Sequence, residues 1–245
     1  MSGSTTRLEG KVALVTGASR GLGRALAIAF AREGAALALC ARGASALGVV
    51  ARAVAALGAD VLAIPADVRS SRDLERLVAL TLDRFHRVDI LINNASELGP
   101  TPLPYLADYP PAAFDDVLQV NVTAPFRLTQ AVIGGMLLRR HGVVVNVTSD
   151  AAVTGYAGWG AYAVSKAALE GLTRTWTAEL EGTGVRIYAL DPGDMDTDMH
   201  RAAIPDAEPS ELARPDDVAR AFIELVTSAE PALAGQRVEA AAFGL

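Results

Sequence analysis

Short apolar runs alternate with segments of helix-forming residues along most of the chain. The runs have the length and composition of strands buried on both faces of a sheet. They predict strands over residues 11–15, 35–40, 61–65, 88–93, 142–148, 185–190 and 236–240. The intervening segments predict helices over residues 22–33, 44–57, 71–85, 114–139, 162–181 and 215–228.

Local signals mark several of the predicted helix ends. Gly34 and Gly58 follow the first two helices, as terminating glycines commonly do. Ser70 or Ser71 is expected to cap the third helix, which has acids in its first turn. Pro125 is expected to interrupt the long helix over residues 114–139, because proline lacks the N–H that a helix interior requires.

The alternation of strands and helices predicts the fold class. It favours a doubly wound α/β fold, in which a parallel sheet of about seven strands carries helices on both faces. No repeat, low-complexity segment or linker interrupts the pattern, so residues 1–245 are expected to form a single domain. The stretch over residues 191–215 carries no regular pattern and is expected to be irregular.

Composition and charge exclude several classes of protein. Of 245 residues, 51% are hydrophobic, and the net charge of −6 gives no electrostatic reason to expect nucleic acid or an anionic membrane. One cysteine excludes an intramolecular disulfide framework, and no cluster has the spacing of a metal site. No run approaches the roughly 18 apolar residues of a membrane span, and residues 1–10 lack the apolar core of a secretory signal. We therefore expect a cytoplasmic protein.

A glycine-rich turn follows the first predicted strand. Residues 16–23 read Thr-Gly-Ala-Ser-Arg-Gly-Leu-Gly, so the glycines follow a G-x-x-x-G-x-G spacing. Glycines at such a turn let backbone N–H groups approach a phosphate, and the start of the next helix adds partial positive charge. The alternative is a tight turn that binds no ligand. The position of the glycine-rich turn after the first strand of a βαβ array favours dinucleotide binding.

The residues at the end of the second strand indicate whether NAD(H) or NADP(H) is bound. An NAD-binding site usually carries an acid there to hold the ribose 2′-hydroxyl. This chain has Ala41 followed by Arg42, and Arg20 lies within the glycine turn. Two guanidinium groups can bind a 2′-phosphate, so NADP(H) is favoured over NAD(H). The alternative is that both arginines are ordinary surface residues of an arginine-rich chain.

Ser149, Tyr162 and Lys166 form the candidate catalytic set. Ser149 ends the fifth predicted strand, while Tyr162 and Lys166 are four residues apart and so share a face of the next helix. A nearby cation lowers the pKa of a phenol, so Tyr162 would act as acid and base while Ser149 binds the substrate oxygen. Lys166 stands out because only it and Lys11 among the 22 basic residues are lysines.

These motifs together resemble the short-chain dehydrogenase/reductase family over essentially the whole chain. Beyond the glycine turn and the Ser–Tyr–Lys set, Asp67-Val68, Asn93-Asn94-Ala95 and the P-G-x-x-x-T pattern of residues 192–197 are similar to family motifs. The resemblance implies a Rossmann-type fold, with Asn121 as the fourth catalytic residue supporting a proton relay. It implies that residues 194–215 form a flap over the substrate, and that a homo-dimer or homo-tetramer is built on helices 114–139 and 162–181.

The resemblance also implies the residues that contact the cofactor. They are Thr16, Gly17, Ser19, Arg20, Gly21, Leu22, Gly23, Arg42, Asp67, Val68, Asn94, Ala95, Ser96, Tyr162, Lys166, Pro192, Gly193, Met195 and Thr197. Two positions depart from the family pattern. Ser96 stands where the family has a glycine after Asn-Asn-Ala, and the chain after Val238 lacks the common Gly-Gly stretch.

Residues beside the catalytic set are candidates for substrate contact. They are Glu97, Leu98, Asp150, Tyr156, Trp159, Asp194, Met195, Met199 and His200. The three acids Glu97, Asp150 and Asp194 would favour a polar or cationic small molecule. The alternative for each acid is a helix cap or a solvated position, and Met and aromatic residues are more often ordinary packing.

The expected function is that of an NADP(H)-dependent carbonyl reductase or alcohol dehydrogenase acting on small molecules. Two alternatives remain open. The first is a non-catalytic NADP(H) sensor or scaffold, because a fold alone does not secure activity. The second is a methyltransferase-like nucleotide fold, which would explain the glycine turn but not the Tyr–Lys pair.

Overall fold

The computed structural model describes residues 6–228 and 231–244, and the elements below belong to those residues. The strands are β1 (Val12–Thr16), β2 (Ala36–Ala41), β3 (Val61–Pro65), β4 (Ile90–Asn93), β5 (Gly142–Val147), β6 (Val185–Asp191) and β7 (Arg237–Glu239). The helices are α1 (Gly21–Arg32), α2 (Ala44–Ala55), α3 (Ser71–Phe85), α4 (Pro111–Leu118), α5 (Ala124–Arg139), α6 (Gly160–Glu179), α7 (Asp198–Ala203) and α8 (Pro215–Thr227).

The strands form one parallel sheet in the order β3-β2-β1-β4-β5-β6-β7, which confirms the predicted fold class. β1 and β4 are neighbours, although two strands separate them along the chain. The chain therefore builds outward first on one side of β1 and then on the other. In such sheets the crevice at the carboxyl ends of the two central strands is where ligands bind.

Two hydrophobic cores cover the two faces of the sheet. Val15 of β1 packs into a core with Phe30 of α1 and Phe222 of α8. Its neighbour Leu14 belongs to the opposite core, which includes Leu77 of α3. Successive residues of a strand point to opposite faces, so a run that is apolar at every position is what a doubly covered sheet requires.

The helix signals in the sequence are confirmed in part. Ser70 caps α3, since its hydroxyl accepts a hydrogen bond from the Asp73 N–H at 3.2 Å. The predicted helix 114–139 is broken, but its interruption precedes Pro125. Residues Gln119–Thr123 form a π-turn, in which the N–H of Ala124 bonds to the carbonyl of Gln119, five residues earlier. The proline ring would collide with the carbonyl four residues before it, and widening the turn avoids that collision.

The stretch over residues 191–215 is more regular than its sequence predicts. The side chain of Thr197 caps α7 by accepting a hydrogen bond from the His200 N–H at 3.2 Å. Met195 and Ala213 are joined by an isolated parallel bridge. The expectation of an irregular stretch is therefore wrong for α7. Hydrophobic periodicity did not indicate this helix, but the local cap at Thr197 marks its start.

Two kinds of feature are absent from the same described residues. No helix there is long and apolar enough to cross a bilayer. No group of three His, Cys, Asp or Glu side chains there is placed to hold a metal ion. The expected lack of a secretory signal concerns residues 1–10, of which 1–5 lie outside the described part.

Candidate active site

The glycine turn is packed tightly against the end of β4. A Cβ atom on Gly23 would lie 2.2 Å from the carbonyl oxygen of Gly17 and 2.6 Å from Nδ2 of Asn94. That same Nδ2 donates to the Thr16 carbonyl at 2.8 Å. Gly17 has φ +67° and Gly21 has φ +51°, in the left-handed region that favours glycine. The turn therefore holds its shape only with glycines at these positions.

The start of α1 is suited to an anionic group. Arg20 at its N-cap position makes no capping hydrogen bond through its side chain, and the first turn contains no acid. Free N–H groups and the helix dipole at such a terminus bind phosphate. The terminus faces a cavity of about 430 Å³ at the carboxyl ends of the strands, termed here the switch-point cavity. The residues present therefore fit a dinucleotide.

Most of the predicted cofactor residues line the switch-point cavity. They are Gly17, Ser19, Arg20, Gly21, Leu22, Gly23, Arg42, Asp67, Val68, Asn94, Ala95, Ser96, Tyr162, Lys166, Pro192, Met195 and Thr197. Thr16 and Gly193 are not among the lining residues. The Thr16 hydroxyl is buried and accepts hydrogen bonds from the N–H groups of Asn94 and Ala95, both at 3.0 Å. The Gly193 N–H donates to the Asp191 carboxylate at 2.9 Å.

Each of the two arginines predicted to bind a 2′-phosphate lies near a carboxylate. Nη1 of Arg20 is 3.4 Å from the Asp198 carboxylate. Nη2 of Arg42 is 4.0 Å from Oε2 of Glu97. Both arginine side chains are more than half exposed, so they can move to a ligand. Each of these guanidinium groups therefore has an acid nearby that opposes the binding of a phosphate.

Asp67 lines the end of the cavity that Arg42 occupies, close enough for the charge of Arg42 to lower the pKa of Asp67. Arg69 donates to both of its carboxylate oxygens, at 3.1 and 2.7 Å to Oδ2 and at 3.2 Å to Oδ1. These hydrogen bonds hold the pKa of Asp67 below its usual value. Arg69 also lies 3.6 Å from Asp116, so its charge is shared between two acids.

The other end of the cavity carries the catalytic candidates. Tyr162 and Lys166 lie one turn apart near the start of α6, and Nζ of Lys166 is 5.3 Å from the centre of the Tyr162 ring. Lys166 is buried, and its ammonium donates to the Val147 carbonyl at the end of β5 at 2.7 Å. Ser149 follows β5 and makes a hydrogen bond with Tyr162. The three predicted catalytic side chains are therefore brought together.

Burial dominates the ionisation of this pair. Burial raises the pKa of Tyr162 well above its usual value, while the hydrogen bond with Ser149 lowers it and the charge of Asp191 raises it further. Burial lowers the pKa of Lys166 to about 8, and Asp191 opposes that shift. That Lys166 lowers the pKa of Tyr162 stays a prediction, and burial in this pocket acts in the opposite direction.

Asn121 lies in the π-turn and does not line the cavity. Its Oδ1 accepts the Glu97 N–H at 2.7 Å, and its Nδ2 donates to the Glu97 carbonyl at 2.9 Å. Nδ2 also donates to the Ser165 hydroxyl at 2.9 Å, and the Ser96 hydroxyl donates to Oδ1 at 3.3 Å. The Asn121 side chain thus joins the segment that follows β4 to α6, the helix that carries Tyr162.

Some predicted substrate residues lie close to Ser149 and Tyr162. The Asp150 carboxylate accepts hydrogen bonds from the Tyr156 hydroxyl at 2.6 Å and from the Ser149 hydroxyl at 3.0 Å. The Trp159 ring lies 5.6 Å from the Tyr162 ring and 6.3 Å from the Tyr156 ring. The structure therefore forms an acidic and aromatic wall beside the catalytic set.

The remaining substrate candidates are distributed around the cavity. Asp194 is 76% exposed and lies 3.5 Å from the largely buried His200. Met199 lines the switch-point cavity together with Glu97. Leu98 is buried in the protein and does not line the cavity.

Sequence reasoning missed part of the cavity wall and the charges behind it. The unpredicted lining residues are Cys40, Ala41, Gly43, Ala46, Ala66, Val120, Val147, Thr148 and Asp198. Several of them lie at the last positions of β2 or β5 or directly after β3 or β5, so counting from strand ends would have found them. A buried ionic group of Asp191, Arg237 and Glu170 lies behind Lys166. No local motif marks it, because its members come from three separate elements.

The chain is similar to known proteins over most of its length. The family model described as short chain dehydrogenase matches residues 11–208. The chain is 32% identical over 238 residues to the 3-oxoacyl-(acyl-carrier-protein) reductase FabG of Thermotoga maritima, which covers 94% of this chain and 96% of that protein. The chain belongs to the short-chain dehydrogenase/reductase family. It is therefore an oxidoreductase of the class that transfers hydride between a nicotinamide cofactor and an alcohol or carbonyl group.

Solved structures of the family match the whole fold. A short chain dehydrogenase from Shigella flexneri in complex with NADP has a TM-score of 0.89 and 30% identity, covering 97% of this chain and 100% of that one. A 7α-hydroxysteroid dehydrogenase in complex with NADH and a 7-oxo bile acid has a TM-score of 0.87 and 31% identity, covering 98% and 96%. Both cofactors thus occur among similar family structures.

Proposed function

We propose that this short-chain dehydrogenase/reductase transfers hydride between NADP(H) and a carbonyl or alcohol group of a small molecule, with Tyr162 as general acid and base. One observation carries the proposal. The uncapped start of α1, Tyr162 and Lys166 all face the same switch-point cavity. A phosphate-binding turn and a proton donor in one cavity are what such a reaction requires.

The chain's own residues supply binding and proton transfer. When bound, the nicotinamide cofactor would supply or accept the hydride. Because burial raises its pKa, the Tyr162 hydroxyl is protonated at neutral pH and can donate to a carbonyl oxygen. Ser149 orients that oxygen by a hydrogen bond. Lys166 would bind the ribose hydroxyls, and Asn121 would support the relay that returns the proton.

Arg20 and Arg42 support the choice of NADP(H). Both line the cavity, both are exposed enough to reorient, and Ala41 stands where an NAD-binding protein usually has an acid. Planar guanidinium groups bind a phosphate through paired hydrogen bonds. We expect a higher kcat/KM with NADPH than with NADH, and a wild-type preference for NADH would refute this choice.

The acids near Ser149 support a polar or cationic substrate. Asp150 and Asp194 both lie close enough to raise the pKa of Tyr162 by their charge. A set of ketones matched in size but neutral, cationic or anionic tests this. We expect the anionic member to be the poorest substrate, and a clear preference for it would contradict the proposal.

We also propose that the protein is a homo-dimer or homo-tetramer in the cytoplasm. Residues 1–245 would form a single domain, with residues 194–215 as a flap over the substrate. Exposed apolar side chains on the two helices expected at the interface support the assembly. They are Phe126, Leu137 and Leu138 on α5 and Val164 on α6. Light scattering after size exclusion measures the assembly, and a monomer at micromolar concentration would contradict it.

A non-catalytic NADP(H) sensor is the alternative function, and a methyltransferase-like nucleotide protein is a more distant one. NADPH oxidation measured against a broad panel of ketones and aldehydes separates these. We expect turnover with at least one member of the panel. Tight NADPH binding with no turnover on any member would favour the sensor.

A further inference from the structure

Glu97 and Arg42 face each other inside the switch-point cavity. Oε2 of Glu97 is 4.0 Å from Nη2 of Arg42, and both residues line the cavity. Within the described residues, Glu97 is the one carboxylate that lies within 4.0 Å of that guanidinium. Arg42 is also a group that the proposed function assigns to the 2′-phosphate, so Glu97 lies where that phosphate must approach.

The backbone of Glu97 is fixed in place. Buried Asn121 accepts its N–H at 2.7 Å and donates to its carbonyl at 2.9 Å. The carboxylate can therefore leave the region of Arg42 only by rotating its own side chain, not by a shift of the loop. The Glu97 side chain therefore extends from a fixed backbone position within reach of Arg42.

Stability does not account for this pair. The Arg42 and Glu97 side chains are 60% and 34% exposed, and the contact is at the long end of an ion pair. Exposed pairs of this kind contribute little to folding. The pair can instead affect ligand binding, because the negative charge of Glu97 acts on any ligand that binds Arg42.

The neighbouring charges do not cancel that effect. Arg69 is occupied by Asp67 at 2.7 Å and Asp116 at 3.6 Å. Arg20, across the cavity, is paired with Asp198 at 3.4 Å. The charge of Glu97 also acts on Arg69, and that of Arg42 also acts on Asp67. Among the described cations, however, Arg42 is the one that lies within 4.0 Å of the Glu97 carboxylate.

We propose that Glu97 is a specificity-determining residue, which weakens binding of a 2′-phosphorylated adenosine and leaves binding of a 2′-hydroxyl adenosine unimpaired. A 2′-phosphate brings further negative charge next to the Glu97 carboxylate, whereas a 2′-hydroxyl brings none and can donate a hydrogen bond to it. The wild-type enzyme is thus less selective for NADP(H) than its two arginines alone would make it. This inference rests on the proposed dinucleotide site but not on which dinucleotide is preferred.

Titration calorimetry with adenosine 2′,5′-bisphosphate and with AMP tests the inference without any turnover. Both Kd values are measured for wild type and for Glu97→Gln at low ionic strength. We expect Glu97→Gln to bind the bisphosphate about tenfold more tightly, since one repulsive charge is lost, and AMP no more tightly than wild type does. Asp116→Asn is the matched control, because it removes a charge beside Arg69 outside the cavity lining.

The outcomes separate this inference from the proposed function. A ratio of the two Kd values that stays within twofold of wild type in Glu97→Gln overturns the inference, as does an equal shift in Asp116→Asn. If wild type binds AMP better than the bisphosphate, the preference for NADP(H) fails, but a shifted ratio in the variant still supports the role of Glu97. If wild type binds neither nucleotide, both fail. Thermal melting of each variant confirms that it is folded.

Discussion

Replacing Asn121 with alanine should destabilise the protein by an amount that its hydrogen bonds allow us to estimate. The side chain is 1% exposed and makes three bonds of 2.7 to 2.9 Å, two with the backbone of Glu97 and one with Ser165. A hydrogen bond contributes about 1 kcal/mol net, and a buried group left without a partner costs more. The expected loss in free energy of unfolding is therefore about 3 kcal/mol for Asn121→Ala.

Urea unfolding followed by circular dichroism measures this loss directly. For a chain of this size it corresponds to a fall in Tm of about 6 to 12 °C. Gln119→Ala is the control, because Gln119 lies in the same π-turn and its amide makes one exposed contact of 3.4 Å. We expect the control to stay within about 0.5 kcal/mol of wild type. A loss below about 1 kcal/mol for Asn121→Ala would refute the view that this side chain joins the two walls of the cavity.

Two further predictions concern the glycine turn and the buried lysine. Gly23→Ala should abolish dinucleotide binding, because its Cβ would lie 2.2 Å from the Gly17 carbonyl oxygen, whereas Gly48→Ala on α2 meets nothing closer than 3.6 Å and should bind normally. NADPH fluorescence titration checks this, and normal binding by Gly23→Ala would contradict it. Burial lowers the pKa of Lys166 from its usual 10.5 to about 8, so between these values the unfolded chain holds a proton that the folded chain has lost. Wild-type stability should therefore rise by up to about 3 kcal/mol relative to Lys166→Met across that pH range, and unfolding curves whose difference does not change with pH would contradict it.

The fold was predictable because its signals are local. Strands covered on both faces are apolar at every position, and the run that ends at Thr16 leads directly into the glycine turn. The cap at Ser70 was equally readable, since the capping side chain and the N–H it binds are three residues apart. Such features depend on residues that are adjacent in the chain.

The parts that escaped prediction depend on contacts between distant residues. Arg42 and Glu97 meet only because the sheet order places the ends of their strands around one cavity. Pro125 predicts an interruption of the helix, but the sequence does not show that Asn121 in the π-turn bonds to the backbone of Glu97. The pKa of Tyr162 depends on burial, which no spacing of residues reveals.

We expect the Tyr162 hydroxyl to move the proton and to contribute little to holding the cofactor. Tyr162→Phe keeps the ring that packs against Trp159 and removes only the hydroxyl. The decisive measurement is kcat with the best carbonyl substrate alongside the Kd for NADPH, in wild type and in this variant. We expect kcat to fall by at least about 100-fold while Kd changes less than about threefold. Turnover retained at the wild-type rate would contradict it.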